Sequence, residues 1–285
     1  MTTNQPRLLG FYAHPDDEVL GIGGTLAQYS ANGVYIEWVV TTRGEAGEIS
    51  DTSLATPENL GMVREREMRC SAQTLGMTDV TFLGYRDSGM DGTEDNQRPD
   101  AYINADDDAV VAKLVAIIRR VRPHVALTFE PFGGYGHPDH IAIHHHTHLA
   151  LPAAADPGYR PDLGAPWQTQ RLFYPILRRE SFMELKARMV AHDLPVDFFD
   201  GLEKRRANAW PSNNYQVAIN INGTTATKWS AFNCHRTQFG EDSLFRRLPE
   251  SEMAELFSTE YFALAYPEPE EGLRLDGLFE GLDLD

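Results

Sequence analysis

Residues 7–41 read RLLGFYAHPDDEVLGIGGTLAQYSANGVYIEWVVT, and this stretch decides the fold. Arg7 to Ala13 is a short apolar run that ends in a polar loop, the pattern of a buried strand. From Asp17 to Asn32, the residues Val19, Leu20, Ile22, Leu26 and Tyr29 recur at helical spacing, and Gly33 stops the helix. Val34 to Thr41 is a second strand, β-branched and aromatic. Strand, helix and strand in succession make a βαβ unit, so the two strands are expected to lie parallel with a right-handed crossover.

The alternation continues downstream. Val63 to Leu75 reads as a helix capped by Gly76, Val80 to Leu83 as a strand, and Asp106 to Arg122 as a helix ended by Pro123. Val125 to Phe129 is another buried strand, and Ile141 to Leu151 a helix that Pro152 breaks or kinks. These elements predict an α/β fold: a three-layer, Rossmann-like, mostly parallel sheet with helices on both faces. Residues 152–170 look like a surface loop. Beyond it come strands at Leu172–Leu177, Tyr215–Ile221 and Tyr261–Tyr266, and helices near Glu180–His192, Thr224–Cys234 and from Pro249. This half reads as a C-terminal extension of the same domain, giving one domain over 1–266. Residues 267–285 read as an acidic, loosely ordered tail.

Composition narrows the class. Of 285 residues, 42% are apolar, enough for a sizeable core. Lys and Arg number 25 against 42 Asp and Glu, a net charge of −17. That balance argues against nucleic acid or an anionic membrane as partner, because both select basic surfaces. No apolar run approaches the ~18 residues that span a bilayer, and the N-terminus lacks a signal-peptide layout. A cytoplasmic protein with a small-molecule substrate is the expectation, and a homo-oligomer stays open. Cys70 and Cys234 lie in separate helix-like segments, so no disulfide framework is expected and a reducing cytosol is the default.

Two clusters carry chemistry: His14-Pro15-Asp16-Asp17-Glu18 and His137-Pro138-Asp139-His140. Each follows a strand directly, and ligands in doubly wound sheets bind beyond the carboxyl ends of the strands. A catalytic zinc site takes three His or carboxylate ligands and leaves a fourth position to water. His14, Asp17 and His140 can supply those three. Asp16, pointing away from its neighbour, can take the proton of the attacking water. A charged His137 could stabilise the oxyanion and protonate the leaving amine, with Asp139 holding its ring. Alone, the Asp-Asp-Glu run would read as a helix cap and the second cluster as a polar loop; two such clusters, each behind a strand, point to one hydrolytic metal site. Glu18 stays between a supporting and a capping role. His140, His144 and His148 share a helix face and form a competing ligand trio, while His145 and His146 turn elsewhere. That trio would leave the His14 cluster without a purpose.

On these residues the sequence resembles the PIG-L/LmbE-like family of zinc-dependent N-acetylglucosaminyl deacetylases. Further carriers are Thr42-Arg43-Gly44-Glu45-Ala46-Gly47-Glu48, the helical segment Arg64 to Gly76, and Gly133-Gly134-Tyr135-Gly136 before His137. A weaker late match is Lys228 with His235-Arg236-Thr237-Gln238. The resemblance implies removal of acetate from an N-acetylglucosamine-type amino sugar or its conjugate. It assigns His14, Asp17 and His140 to Zn²⁺ (with Fe²⁺ as the other metal such a donor set suits), Asp16 to the base, and His137, with Asp139 beside it, to oxyanion stabilisation. Tyr135 falls at an oxyanion-contacting tyrosine, and Arg64, Asp87 and Glu48 fall at sugar-binding positions or serve as surface salt-bridge and turn residues. The other readings are an amidase of the same machinery cleaving a mycothiol-like conjugate, and a non-enzymatic nucleotide- or sugar-binding module. The last lacks a Gly-x-Gly-x-x-Gly loop after the first strand, where three carboxylates would repel a pyrophosphate.

Overall fold

Strand β1 (Arg7–Tyr12) is buried along its whole length. Its side chains alternate between two apolar clusters, Leu8 and Tyr12 on one face, Leu9 and Phe11 on the other. A strand so buried must sit centrally, and it does. In the computed structural model, which describes residues 5–199, 201 and 210–284, β2 (Tyr35–Val40) and β4 (Val125–Leu127) flank β1, both parallel to it. Outside them, β3 (Asp79–Phe82) pairs with β2 and β5 (Arg171–Ile176) with β4, again parallel. The antiparallel pairs β5–β7 (Thr259–Tyr266) and β7–β6 (Val217–Asn220) complete one seven-stranded sheet, ordered β3-β2-β1-β4-β5-β7-β6. Gly10 stands opposite Trp38 in the β1–β2 register, and a Cβ at residue 10 would overlap the buried indole.

Helices cover both faces. In chain order they are α1 (Gly23–Ala31), α2 (Leu60–Leu75), α3 (Asp107–Val121), the single turn α4 (Gly133–Gly136), α5 (Pro138–Ala155), α6 (Arg179–Ala191), α7 (Thr225–Phe232) and α8 (Glu250–Leu256). Side chains of α3 and α5 build one core; those of α1, α2, α6, α7 and α8 build the other. The three-layer α/β expectation therefore holds, and the second half extends the same sheet. Because β1 is followed in sequence by β2 on one side and bordered by β4 on the other, the sheet reverses its winding between β1 and β4. The loops carrying His14 and His137 leave from that crevice, the place where doubly wound folds bind ligands.

Several local expectations need correction. Helix α1 begins at Gly23, not near Asp17, because residues 14–22 form turns. Asp16 takes φ +101°, and the Asp17 carboxylate accepts the N–H groups of Ala13 and His14, which folds the loop back on itself. Helix α5 runs through Pro152 to Ala155. Arg119 donates to the carbonyls of Ala153, Ala154 and Asp156, satisfying the end of the helix beyond the proline. The acidic C-terminal segment is docked: Leu278 is fully buried, its N–H bonds the Tyr29 hydroxyl, and Leu275 bridges to Val217. Apolar residues spaced among the acidic ones give it a face to bury. No described helix is long and apolar enough to cross a membrane.

The two cysteines also depart from expectation, since Cys70 on α2 and Cys234 just beyond α7 form a disulfide. Separate helices in sequence become neighbours because α2 and α7 pack on the same face of the sheet. The bond spans 164 residues of chain. Closing so long a loop restricts the unfolded ensemble, so the Cys70→Ala/Cys234→Ala variant is expected to lose about 2–4 kcal/mol. A urea midpoint equal to that of the oxidised parent would contradict this bond.

Candidate active site and metal centre

His14 emerges from β1 and His140 sits in the first turn of α5, 126 residues apart in sequence. Their free ring nitrogens meet: His14 Nδ1 lies 3.1 Å from His140 Nε2. Each ring's other nitrogen is committed as a donor. His14 Nε2 lies 3.2 Å from Asp139 Oδ2, and His140 Nδ1 lies 3.0 Å from the Gly133 carbonyl. His14 Nδ1 and His140 Nε2 therefore point at each other across a gap that one proton or one cation can fill. Asp17 completes the set, with Oδ1 3.4 Å from His140 Nε2 and Oδ2 3.9 Å from His14 Nδ1. Ligand atoms around a tetrahedral zinc, each ~2.0–2.1 Å from the metal, are about 3.4 Å apart. The chemistry of these side chains suits a divalent cation, with Asp17 facing His140 through Oδ1 and His14 through Oδ2.

Electrostatics agree. His14 and His140 are buried, the Asp17 side chain is 8% exposed, and His140 is held well below its usual range by burial and then by His14. Burial would lower His14 too, but Asp87, Asp139 and Asp17 hold it well above its usual range. Burial, with help from Asp16, pushes Asp17 up to about 7. The shifts oppose each other across the 3.1 Å contact, with His14 favoured as the protonated ring and His140 as the neutral acceptor, so a cation bound there would displace that proton. Among the described residues, one donor atom each from His14, His137 and His140 lies within 4.8 Å of the others, and so does one each from His14, Asp87 and Asp139.

The remaining expected residues divide. His137 caps α5, its Nδ1 accepting the Asp139 N–H at 3.2 Å. Its Nε2 is therefore the protonated nitrogen, 4.0 Å from Asp87 and free to donate elsewhere. Burial and the neighbouring His14 lower it to about 3, so the ring is neutral where a charged one was expected. The expectation that Asp139 orients His137 does not hold: its carboxylate bonds His14 and the Ser88 N–H, and its Oδ1 has no hydrogen-bond partner. Tyr135, at the mouth, has its ring 5.1 Å from His140 and 6.1 Å from His137. Asp87, expected at a sugar position, is buried against His14 at 3.5 Å. Glu48 is exposed, and only its carbonyl is used, by Gln238.

Asp16 is held from two sides. Arg64, buried beneath it, donates to Asp16 Oδ2 at 3.1 Å and to the carbonyls of Pro15 and Gly44 at 2.7 and 2.9 Å. Gly44, at φ +71°, has to be glycine, because a Cβ there would overlap that guanidinium. The undecided Glu18 is fully buried and accepts the Asp16 N–H at 2.9 Å. Asp16 itself occupies a left-handed backbone state costing about 1–3 kcal/mol, which persists only where neighbours over-determine it. On its far side Glu18 binds Ser71 Oγ and His235 Nε2, each at 2.5 Å. His235 also explains the late motif: Thr237 binds Glu67 and Gln238 binds the loop carrying Glu48. Lys228 lies elsewhere, paired with Glu260 at the start of α1. Sequence reasoning missed Ser71 and Glu67. Their signal was a polar stripe, Arg64, Glu67 and Ser71, at positions where helix α2 faces the core.

The competing histidine trio does not assemble. His144 bonds the Phe129 carbonyl, His148 the Tyr174 hydroxyl, and His146 sits between Tyr102 and Asp107. Only His140 of that run turns to the cluster.

Comparison with known proteins agrees with this geometry. Residues 9–151 match the PIG-L family, described as GlcNAc-PI de-N-acetylase. Over 97% of its length the chain is 39% identical to the 1D-myo-inositol 2-acetamido-2-deoxy-alpha-D-glucopyranoside deacetylase of Streptomyces scabiei, covering 90% of that protein. It is 38% identical to the same enzyme of Streptomyces avermitilis, with 97% of both chains covered. In fold it resembles the N,N'-diacetylchitobiose deacetylase of Pyrococcus horikoshii, at a TM-score of 0.65, 20% identity, and coverage of 92% of this chain and 84% of that one. The chain belongs to the PIG-L family of GlcNAc-PI de-N-acetylases, hydrolases that act on a carbon–nitrogen bond other than a peptide bond.

Proposed function

We propose that this protein removes acetate from an N-acetylglucosaminyl-inositol, with His14, Asp17 and His140 holding Zn²⁺ and Asp16 as general base. The observation that carries the reading is the approach of His14 Nδ1 to His140 Nε2 at 3.1 Å with Asp17 beside them. The curated relatives, similar over nearly the whole chain, support the inositol conjugate as substrate. A divalent cation bound there supplies a Lewis acid that polarises the acetamide carbonyl and makes water more acidic. Asp16, next in sequence to a ligand but turned aside by its backbone, takes the proton from the attacking water. Arg64 aims the Asp16 carboxylate and offsets part of the rise that burial causes. His137 donates its Nε2 proton toward the oxygen on which negative charge develops, and Tyr135 closes over the same position. Buried walls around His14, Asp139 and Asp87 exclude competing water.

A second reading has its own observation. A cavity of about 140 Å³ adjoins Asp16, Asp17 and Tyr135 and is lined mostly by apolar side chains, among them Leu20, Ile22, Phe129, Ile176 and Trp210. Such a wall suits an apolar group better than a polyol, which favours the amidase of a larger conjugate as an accessory activity.

Two measurements test this. Asp16→Asn is expected to lower kcat for acetate release at least 10²-fold with metal content unchanged; full activity would remove Asp16 from the base role. Leu20→Asn is expected to lower kcat/KM about tenfold for conjugates bearing an apolar group while sparing N-acetylglucosaminyl-inositol. Equal losses on both substrates would mean that the cavity does not discriminate.

A further inference from the structure

The mechanism leaves one fully buried charged pair without a task. Glu18 and His235 are both 0% exposed, lie 217 residues apart, and meet at 2.5 Å. Neither belongs to the metal donor set, and neither lines the cavity beside Asp16. Core packing alone does not call for such a pair, since apolar residues of similar volume would fill the space without desolvating charge.

The geometry assigns His235 and Glu18 as positioning residues for Asp16. Glu18 uses its two carboxylate oxygens for different ends. Oε2 accepts the Asp16 N–H, and Oε1 is gripped by His235 Nε2 and Ser71 Oγ. The Asp16 N–H is the group whose direction changes when φ leaves +101°, so a fixed acceptor there holds the backbone in its left-handed state. Arg64 secures the other side of the same residue through the Pro15 carbonyl and Asp16 Oδ2. Without the grip on Oε1, Glu18 could rotate about its side chain, and Asp16 could relax toward an ordinary backbone conformation that re-aims its carboxylate.

The two donors to Oε1 come from distant elements, Ser71 from α2 and His235 from the segment after α7. Each directly follows a cysteine of the disulfide, Cys70 and Cys234. The covalent link thus joins the chain one residue before each donor, so Ser71 and His235 reach Glu18 as one unit. Thr237 adds a second anchor through its N–H and hydroxyl on Glu67. The late His-x-x-Gln segment therefore acts on the reaction through Glu18.

This inference rests on reading Asp16 as the base, and the experiment separates the two claims. Acetate release from N-acetylglucosaminyl-inositol is measured for the zinc-loaded full chain and for His235→Ala, His235→Gln, Asp16→Asn and the Asp16→Asn/His235→Ala double variant, with metal content and melting temperature recorded for each. His235→Ala is expected to lower kcat about 10²-fold, the scale of an ångström of misplacement, with KM within about twofold and metal retained. His235→Gln, whose amide N–H reaches the same carboxylate, is expected to restore most of the loss. In the Asp16→Asn background, removing His235 is expected to change the residual rate less than about twofold, because both substitutions disable one group. Should His235→Ala fail to fold, Glu18→Ala against Glu18→Gln gives the same comparison, since Gln keeps an acceptor for the Asp16 N–H. The inference is overturned if His235→Ala keeps the parent kcat, if its loss equals its loss of metal, or if it costs as much in the Asp16→Asn background as in the parent. Full activity of Asp16→Asn would instead overturn the base assignment.

Discussion

Everything at the site follows from two imidazole nitrogens held 3.1 Å apart. Asp139 and the Gly133 carbonyl each claim the opposite nitrogen of their ring, which turns His14 Nδ1 and His140 Nε2 toward each other. A proton or a cation can bridge the pair, and a bound cation would replace the proton. The constraint reaches outward. His14 must follow β1, His140 must sit in the first turn of α5 on the connection leaving β4, and β1 and β4 must be neighbours, which the winding reversal of the sheet provides. The tight turn of Ala13 to Asp17 lets one carboxylate both close the loop and face the metal position.

Around that centre the chain builds a polar shell inside an apolar core. Asp87, Asp139, Arg64, Glu18 and His235 are all buried, and each is tied to a group it orients. Buried charge costs stability, and the pairings offset most of that cost, while Asp139 Oδ1, His235 Nδ1 and Arg64 Nε keep no hydrogen-bond partner. The shell also ties the C-terminal half to the first. His235 reaches back 217 residues to Glu18, and Glu260 caps α1 through the N–H groups of Gly24 and Thr25.

Much of this was legible in the sequence. Alternating apolar runs gave the central strands, and the two His-Pro-Asp clusters, each expected behind a strand, are brought together at one end of the sheet. What escaped was whatever depends on a third dimension. The helix expected from Asp17 starts at Gly23 because Asp16 adopts a backbone state no propensity scale anticipates. Asp139 reads as a partner for His137 by adjacency, yet the start of α5 turns its carboxylate to His14. The disulfide joins two helices whose sequence spacing carries no signal, and the Ser71–Glu18–His235 set spans three elements. Polar residues at core-facing helical positions, as in α2, were the readable trace of that set.

The account turns on His14, Asp17 and His140 gathering one divalent cation. The direct measurement is metal content after chelation, reloading with zinc or with ferrous iron and desalting, for the parent and for His14→Ala and His140→Ala. One tightly held ion per chain in the parent, and less than about a tenth of that in either variant, is the predicted result. A parent that retains no metal, or a His140→Ala variant that retains as much as the parent, would contradict it.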